Sequence, residues 1–222
     1  MNKSKEIFEE LKKVVSGKTL DALIPPIVFI FVNSLYELKW ASVLAIISAI
    51  LIGIARVAFK QTWKYAFGGL IGVSIAAGFA YIAGNAANYY IPKIIGSFSF
   101  VVAASISLII KKPLAAWVSH LSRGWDLKWF WRSDVKPAYV EVTIFWTVFF
   151  GLKLFLQLVL FLRSDAAGLF LVNTLLSMPA NVIVLVASYI YGIWRLHSLG
   201  GPGVEEFEKS VEPPWKGQTR GF

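Results

Sequence analysis

The chain has 222 residues, 57% of them hydrophobic, no cysteine and a formal charge of +9 at neutral pH, with a mean hydropathy of +0.64. That is far more apolar than a soluble domain needs for one core, which excludes an ordinary soluble fold in favour of an integral membrane protein. Lack of cysteine excludes disulfides, thiolate metal sites and cysteine nucleophiles, and the basic residues cluster between apolar runs, so their excess reads as membrane topology rather than a nucleic-acid surface.

The first twenty residues lack the apolar stretch and small-residue cleavage site of a secretory signal, so they are expected to be retained. Within residues 1–19, Ile7, Phe8, Leu11, Val14 and Val15 recur at helical spacing among lysines and glutamates. This predicts an amphipathic helix on the cytoplasmic membrane face. An all-α, polytopic domain of six transmembrane helices follows over residues 20–195, with spans at 23–35, 41–57, 65–83, 94–110, 138–162 and 166–194. Pro25 and Pro26 each remove a backbone donor and must stand in the first turn of the first span or at a kink in it. Nearly all lysine and arginine outside the spans falls in the amino-terminal segment, the second and fourth loops and the carboxyl-terminal segment. The positive-inside rule then places both termini in the cytoplasm.

Small residues recur every fourth position in the second and third spans, as Ala41, Ala45, Ala49 and Gly53, and then as Gly68, Gly72, Ala76 and Ala80. Such strips let backbones approach closely, so the third span is predicted to pack through Gly68, Gly72, Ala76 and Ala80. The loop after the fourth span mixes basic residues, including Lys111 and Lys112, with Trp117, Trp125, Trp129 and Trp131. That composition suits the headgroup zone and predicts an interfacial cytoplasmic segment touching the membrane surface.

The fifth span carries Lys153 and Gln157 one turn apart, and the sixth carries Asn173, Ser177, Asn181 and Ser188 close to one face, with Pro179 among them. With Asn33 of the first span, the residues Lys153, Gln157, Asn173, Ser177 and Asn181 are the candidates for a solute pocket opening outward. Two readings of Lys153 stand side by side: it snorkels to the outer interface, or it turns into the bundle and attracts an anion. Glu141, about 18 Å along the same helix, is too far to pair with it and is expected to pair with Arg56, Lys60 or Lys136. Residues 196–222 are rich in Gly, Pro and charge, which predicts a flexible cytoplasmic tail.

Catalytic constellations are weak. His120 and His197 have no partner at metal-ligand spacing, and neither GGLIGV nor LGGPGV has the strand-to-helix context of a nucleotide loop. No catalytic residue, metal site or cofactor is expected, and the chain is not expected to be an enzyme.

The segments TLDALIPPIVFIFVNSL, RVAFKQTWKYAFGGLIGV, ISLIIKKPLAAWVS and WRSDVKPAYVEVTIFWTVFFGLKLFLQ, in that order, resemble a bacterial, largely actinobacterial, family of polytopic membrane proteins without an assigned activity. The layout is more distantly similar to the intracellular septation protein A group. The resemblance implies a bacterial plasma-membrane protein and supplies no chemistry. Two functions fit the sequence: a small channel or transporter for an anion or small polar solute, or a non-catalytic membrane scaffold in cell-envelope assembly or septation. The partners these readings admit are the lipid bilayer, a second copy of the chain and envelope-assembly proteins, with no nucleic acid among them.

Overall fold

The computed structural model describes residues 21–58, 63–219 and 221–222. The amphipathic helix predicted over 1–19 lies outside these residues. Every regular element among them is helical, as hydrocarbon demands of a non-barrel chain, since each backbone N–H and C=O must then be satisfied within its own segment. Four helical stretches are long and apolar enough to cross a membrane: Leu38–Ala58, Ala86–Ile109, Lys136–Leu162 and Ala166–Leu199. Two shorter apolar helices, Ile24–Leu35 and Phe67–Ala83, accompany them.

The α-helices, in chain order, are α1 (Ile24–Leu35), α2 (Leu38–Ala58), α3 (Trp63–Ala83), α4 (Ile91–Ile109), α5 (Leu114–Arg123), α6 (Leu127–Phe130), α7 (Lys136–Leu162), α8 (Ala166–Leu175), α9 (Met178–Leu199) and α10 (Val204–Glu208). Pro25 and Pro26 fall in the first turn of α1, where their missing N–H groups cost no intrahelical bond. At 12 residues α1 is about 18 Å long, well short of a hydrocarbon core of roughly 30 Å. The predicted last span is interrupted. Pro179 has no N–H to offer the Leu175 carbonyl, so α8 ends at Leu175 and α9 starts afresh at Met178.

The chain forms two compact units. One comprises residues up to Ile94 together with 157–174; the other comprises 95–156 and 175–222. In the first, Ala41 and Ala45 of α2 meet Ala76, Ala77 and Ala80 of α3 in a core that also holds Phe29 and Val32 of α1. The Phe29 ring stacks on Tyr89 at 4.2 Å between centroids. The predicted packing strip is corrected here. Ala76 and Ala80 are buried, but Gly68 and Gly72 are exposed, and a Cβ added at either meets none of the described residues within 4 Å. Among the described residues, the core shared by the two helices takes in the alanine half of α3. Its glycine half borders a cavity of about 350 Å³.

The second unit is built on aromatic packing. Trp129, Phe130 and Tyr139 are fully buried with Ala115, Ala116 and Ala138 around them. Trp129 was predicted to sit in the lipid headgroups; it is instead fully enclosed, and its indole N–H donates to the Pro202 carbonyl at 2.9 Å. Burial of the indole requires a partner for that donor, and the chain after α9 supplies it. The carboxyl-terminal segment, expected to be flexible, is correspondingly held. Gln218 is buried and its Oε1 accepts from the Val204 N–H at 2.9 Å. The Phe222 ring stacks on Tyr139 at 4.3 Å, touches Gly192, and the Phe222 main-chain oxygen accepts from Arg123 Nε at 3.2 Å.

Glu206 organises this segment. Its carboxylate accepts the N–H groups of Gly203, Lys216 and Gly217 at 2.8, 2.8 and 3.1 Å. Those backbone donors hold its pKa below the ordinary carboxylate value. A depressed folded-state pKa contributes stability that is complete above the unfolded value, about 4.3, and vanishes as pH falls through the lowered one. Hydrogen-exchange protection of the Lys216 and Gly217 amides, referenced to intrinsic rates, is therefore expected to hold from neutral pH to that range and collapse below it. Glu206→Gln should reduce protection already at neutral pH; equal protection in both proteins would refute the assignment.

The alanine contact yields a contrast measurable in detergent. Ala80→Leu overpacks a fully buried site and should lower stability by about 1–3 kcal/mol. Gly72→Leu should leave the melting temperature unchanged or raise it, because its side chain enters open space and leucine favours helix over glycine.

Candidate functional site

Polar side chains on apolar helices are the informative ones, and the candidates fall into the two units. In the first, the chain turns back between α7 and α8 through Arg163, Ser164 and Asp165. Ser164 takes a positive φ of 54°. Its hydroxyl accepts from Asn85 Nδ2 at 2.7 Å, and the Asp165 carboxylate accepts the Gly168 N–H at 2.8 Å. This tight turn brings Gln157, near the end of α7, opposite Asn173 of α8. Gln157 Nε2 donates to Asn173 Oδ1 at 2.8 Å, and Asn173 Nδ2 donates back to the Leu169 carbonyl at 2.8 Å. Both side chains are buried, Gln157 completely. The second acceptor, Gln157 Oε1, has no hydrogen-bond partner. A buried amide in this state can accept a donor from a solute or water. Asn33 lies half-buried on α1 of the same unit.

The other predicted pocket residues, Lys153, Ser177 and Asn181, belong to the second unit. Lys153 is only 8% exposed. Among the described residues no carboxylate pairs with it: the ion pairs there are Arg132 with Asp134 and Arg195 with Glu141. Asn181 Oδ1 is likewise buried without a partner, and Ser177 is half-buried at the start of α9, its carbonyl accepting the Asn181 N–H at 2.8 Å. Among the six candidates, the side chains of Gln157 and Asn173 are joined by a hydrogen bond.

Two further polar contacts tie α7 to α9 in the second unit. Glu141 receives a bidentate contact from Arg195, with Nε 2.8 Å from Oε2 and Nη2 2.9 Å from Oε1, and a hydrogen bond from the Tyr191 hydroxyl at 2.7 Å. Glu141 is thus paired with Arg195 and not with the expected Arg56, Lys60 or Lys136, and the guanidinium fork matches both carboxylate oxygens. Tyr191 and Arg195 are one turn apart, so this face of α9 was legible from spacing, but nothing local pointed it at α7. One turn further along α7, Trp146 Nε1 donates to Ser188 Oγ at 2.8 Å, and that hydroxyl donates to the Val184 carbonyl at 2.6 Å.

The surface candidates divide in the same way. Lys111 and Lys112 are exposed, and Trp117, Trp125 and Trp131 are half-buried. The Arg123 guanidinium lies 5.0 Å from the Trp125 ring centroid. Trp129 alone of the four indoles is withdrawn from the surface.

The amide pair makes a clean test of its own. Asn173→Leu strands the Gln157 amide in an apolar core and should cost about 1–3 kcal/mol, while the double variant Gln157→Leu with Asn173→Leu should recover most of that loss. Melting temperatures of the two single variants and the double variant measure the coupling. Strict additivity would mean the two amides do not depend on each other.

Comparison with curated proteins and with solved structures finds no significant match. A family profile described as a protein of unknown function (DUF3159) matches residues 16–195, which include α1 to α8, the polar centres of α7 and α9 through Arg195, and the Gln157–Asn173 pair. With more than half of its length matched, the chain belongs to the DUF3159 family, whose description assigns no activity.

Proposed function

We propose that the chain is a six-helix integral protein of the bacterial plasma membrane, with both termini cytoplasmic, that serves as a small channel or transporter for an anion or small polar solute. The six spans would be the four long apolar stretches and the two shorter apolar helices. The orientation rests on the bias of lysine and arginine toward the amino-terminal segment, the second and fourth loops and the carboxyl-terminal segment.

The observation that carries the transport reading is Lys153. It sits in the interior of a 27-residue apolar helix, 8% exposed, with no carboxylate paired to it among the described residues. An ammonium removed from water costs several kcal/mol unless a counter-charge or hydrogen-bond acceptors offset that cost. A passing anion would supply the missing charge, and the unpartnered amide oxygen of Asn181, in the same unit, adds an acceptor for a donor group on a polar solute. The alternative, a membrane scaffold in envelope assembly or septation, draws support from the exposed Lys111 and Lys112 and the indoles near them.

Reconstitution in liposomes separates the two. Wild type should carry at least one anion or small polar solute above empty liposomes. Lys153→Met keeps the stem and removes the charge; it should fold with an equal or higher melting temperature and reduce anion flux by about tenfold or more, equivalent to ~1.4 kcal/mol. No flux for any solute in wild type would move the reading to the scaffold. Equal flux through both proteins would leave transport standing and remove Lys153 from it.

A further inference from the structure

One side chain of the second unit is held the way a ligand is held. The Phe222 ring lies parallel to that of Tyr139, with 4.3 Å between centroids and 6° between planes. One edge of it rests against Gly192, where the Cβ of any other residue would collide with the ring. The adjoining backbone is met as well: the Phe222 main-chain oxygen accepts from Arg123 Nε at 3.2 Å, and the Gly221 N–H donates to the Tyr189 hydroxyl at 3.3 Å. The Arg123 guanidinium is itself set over the Trp125 ring, 5.0 Å from its centroid. A flat platform, a notch without a side chain, one donor and one acceptor together suit a planar ring flanked by peptide groups.

This seat adjoins a cavity of about 420 Å³, of which Phe222 is one wall and whose size is that of a small-molecule site. Trp146 and Leu185 give the cavity apolar surface, and Ser119, Ser122 and Ser188 line it as well. Space is therefore present beside the ring for the groups that flank it.

The occupant is held less firmly than the segment that leads to it. Glu206 grips the backbone at Gly203, Lys216 and Gly217 through charge-assisted bonds of 2.8 to 3.1 Å, whereas the bonds at Gly221 and Phe222 stand at the long limit for N–H donors. Tyr139, Arg123, Tyr189 and Gly192 fall within the residues that match the family profile, and Gly221 and Phe222 fall outside them.

We propose that this seat is a binding site for an aromatic residue flanked by peptide groups, which Phe222 fills from within the chain as a built-in competitor. Stacking on Tyr139 selects the ring, Gly192 admits its edge, and Arg123 and Tyr189 read the neighbouring carbonyl and N–H.

The test uses the full-length chain in mild detergent and N-acetylphenylalaninamide, a probe that carries the ring, the carbonyl and the N–H. Saturation-transfer NMR of the probe and the melting temperature of the protein are the two readouts. Phe222→Ala should bind the probe and rise in melting temperature on adding it, while wild type, its seat already filled, should respond weakly. Phe222→Leu, which keeps apolar bulk but offers no ring, takes the place of the alanine variant should that one not purify as a monodisperse protein. Adding Gly192→Ala to either variant should abolish the response, because the new Cβ takes the space of the ring edge, while alanine favours the helix over glycine and leaves α9 intact. N-acetylleucinamide, which has no ring, should give no response in any of these proteins. Equal response of wild type and Phe222→Ala would overturn the seat, and equal response to the two probes would reduce it to an apolar patch. Binding that survives Gly192→Ala would place the probe elsewhere.

Discussion

Hydrocarbon supplies no hydrogen-bond donors or acceptors, so each polar side chain on an apolar helix is bound to find its partner in the chain or to remain unsatisfied. Most of what distinguishes this protein from a bundle of greasy helices follows from that constraint. Glu141 is matched by the fork of Arg195 and the hydroxyl of Tyr191. Trp146 finds Ser188, and Gln157 finds Asn173. Each of these links two helices, or two stretches of helix, at one defined height. Apolar side chains, which pack about equally well against each other and against lipid, cannot supply that definition. Where the constraint is left unmet, at the unpartnered amide oxygens of Gln157 and Asn181, the chemistry of a solute or of water has a place to act.

Small residues act in two opposite ways along α3. At Ala76, Ala77 and Ala80 the helix shares one buried core with Ala41 and Ala45 of α2. At Gly68 and Gly72 no described residue lies within reach of a Cβ, and the two glycines border a cavity. Spacing is the same in both halves. The difference lies in whether the neighbouring backbone is near, which depends on how α2 and the proline-headed α1 are placed in that unit.

In the second unit the aromatic residues that resemble a membrane-surface girdle turn partly inward. Trp129 is held by Pro202, and Tyr139 by the stacked ring of Phe222. Glu206 gathers three backbone N–H groups from either side of its own turn of helix. A segment whose composition is that of a linker is thereby given partners on α5, α6, α7 and α9. Glycine and proline lower the helical propensity of such a segment, but they also permit the close approaches seen where Gly201 meets Asp134 and Gly203 meets Gly217.

Hydropathy and periodicity by themselves determined the class of the protein, the sites of the apolar helices to within a few residues, the first-turn position or kink of Pro25 and Pro26, and the polar identity of Lys153, Gln157 and Asn173. These are local properties: a run of apolar residues must be helical in lipid whatever surrounds it, and a proline lacks its donor in every context. The tertiary structure alone decided which polar groups meet. It matched Glu141 to Arg195 rather than to Arg56, Lys60 or Lys136, paired Gln157 with Asn173, split the last apolar stretch into α8 and α9, withdrew Trp129 from the surface, and separated Gly72 from the packing strip it shares with Ala80. Partners of this kind are set by the approach of segments distant in sequence, and helical spacing fixes only the face a residue occupies, not what that face meets.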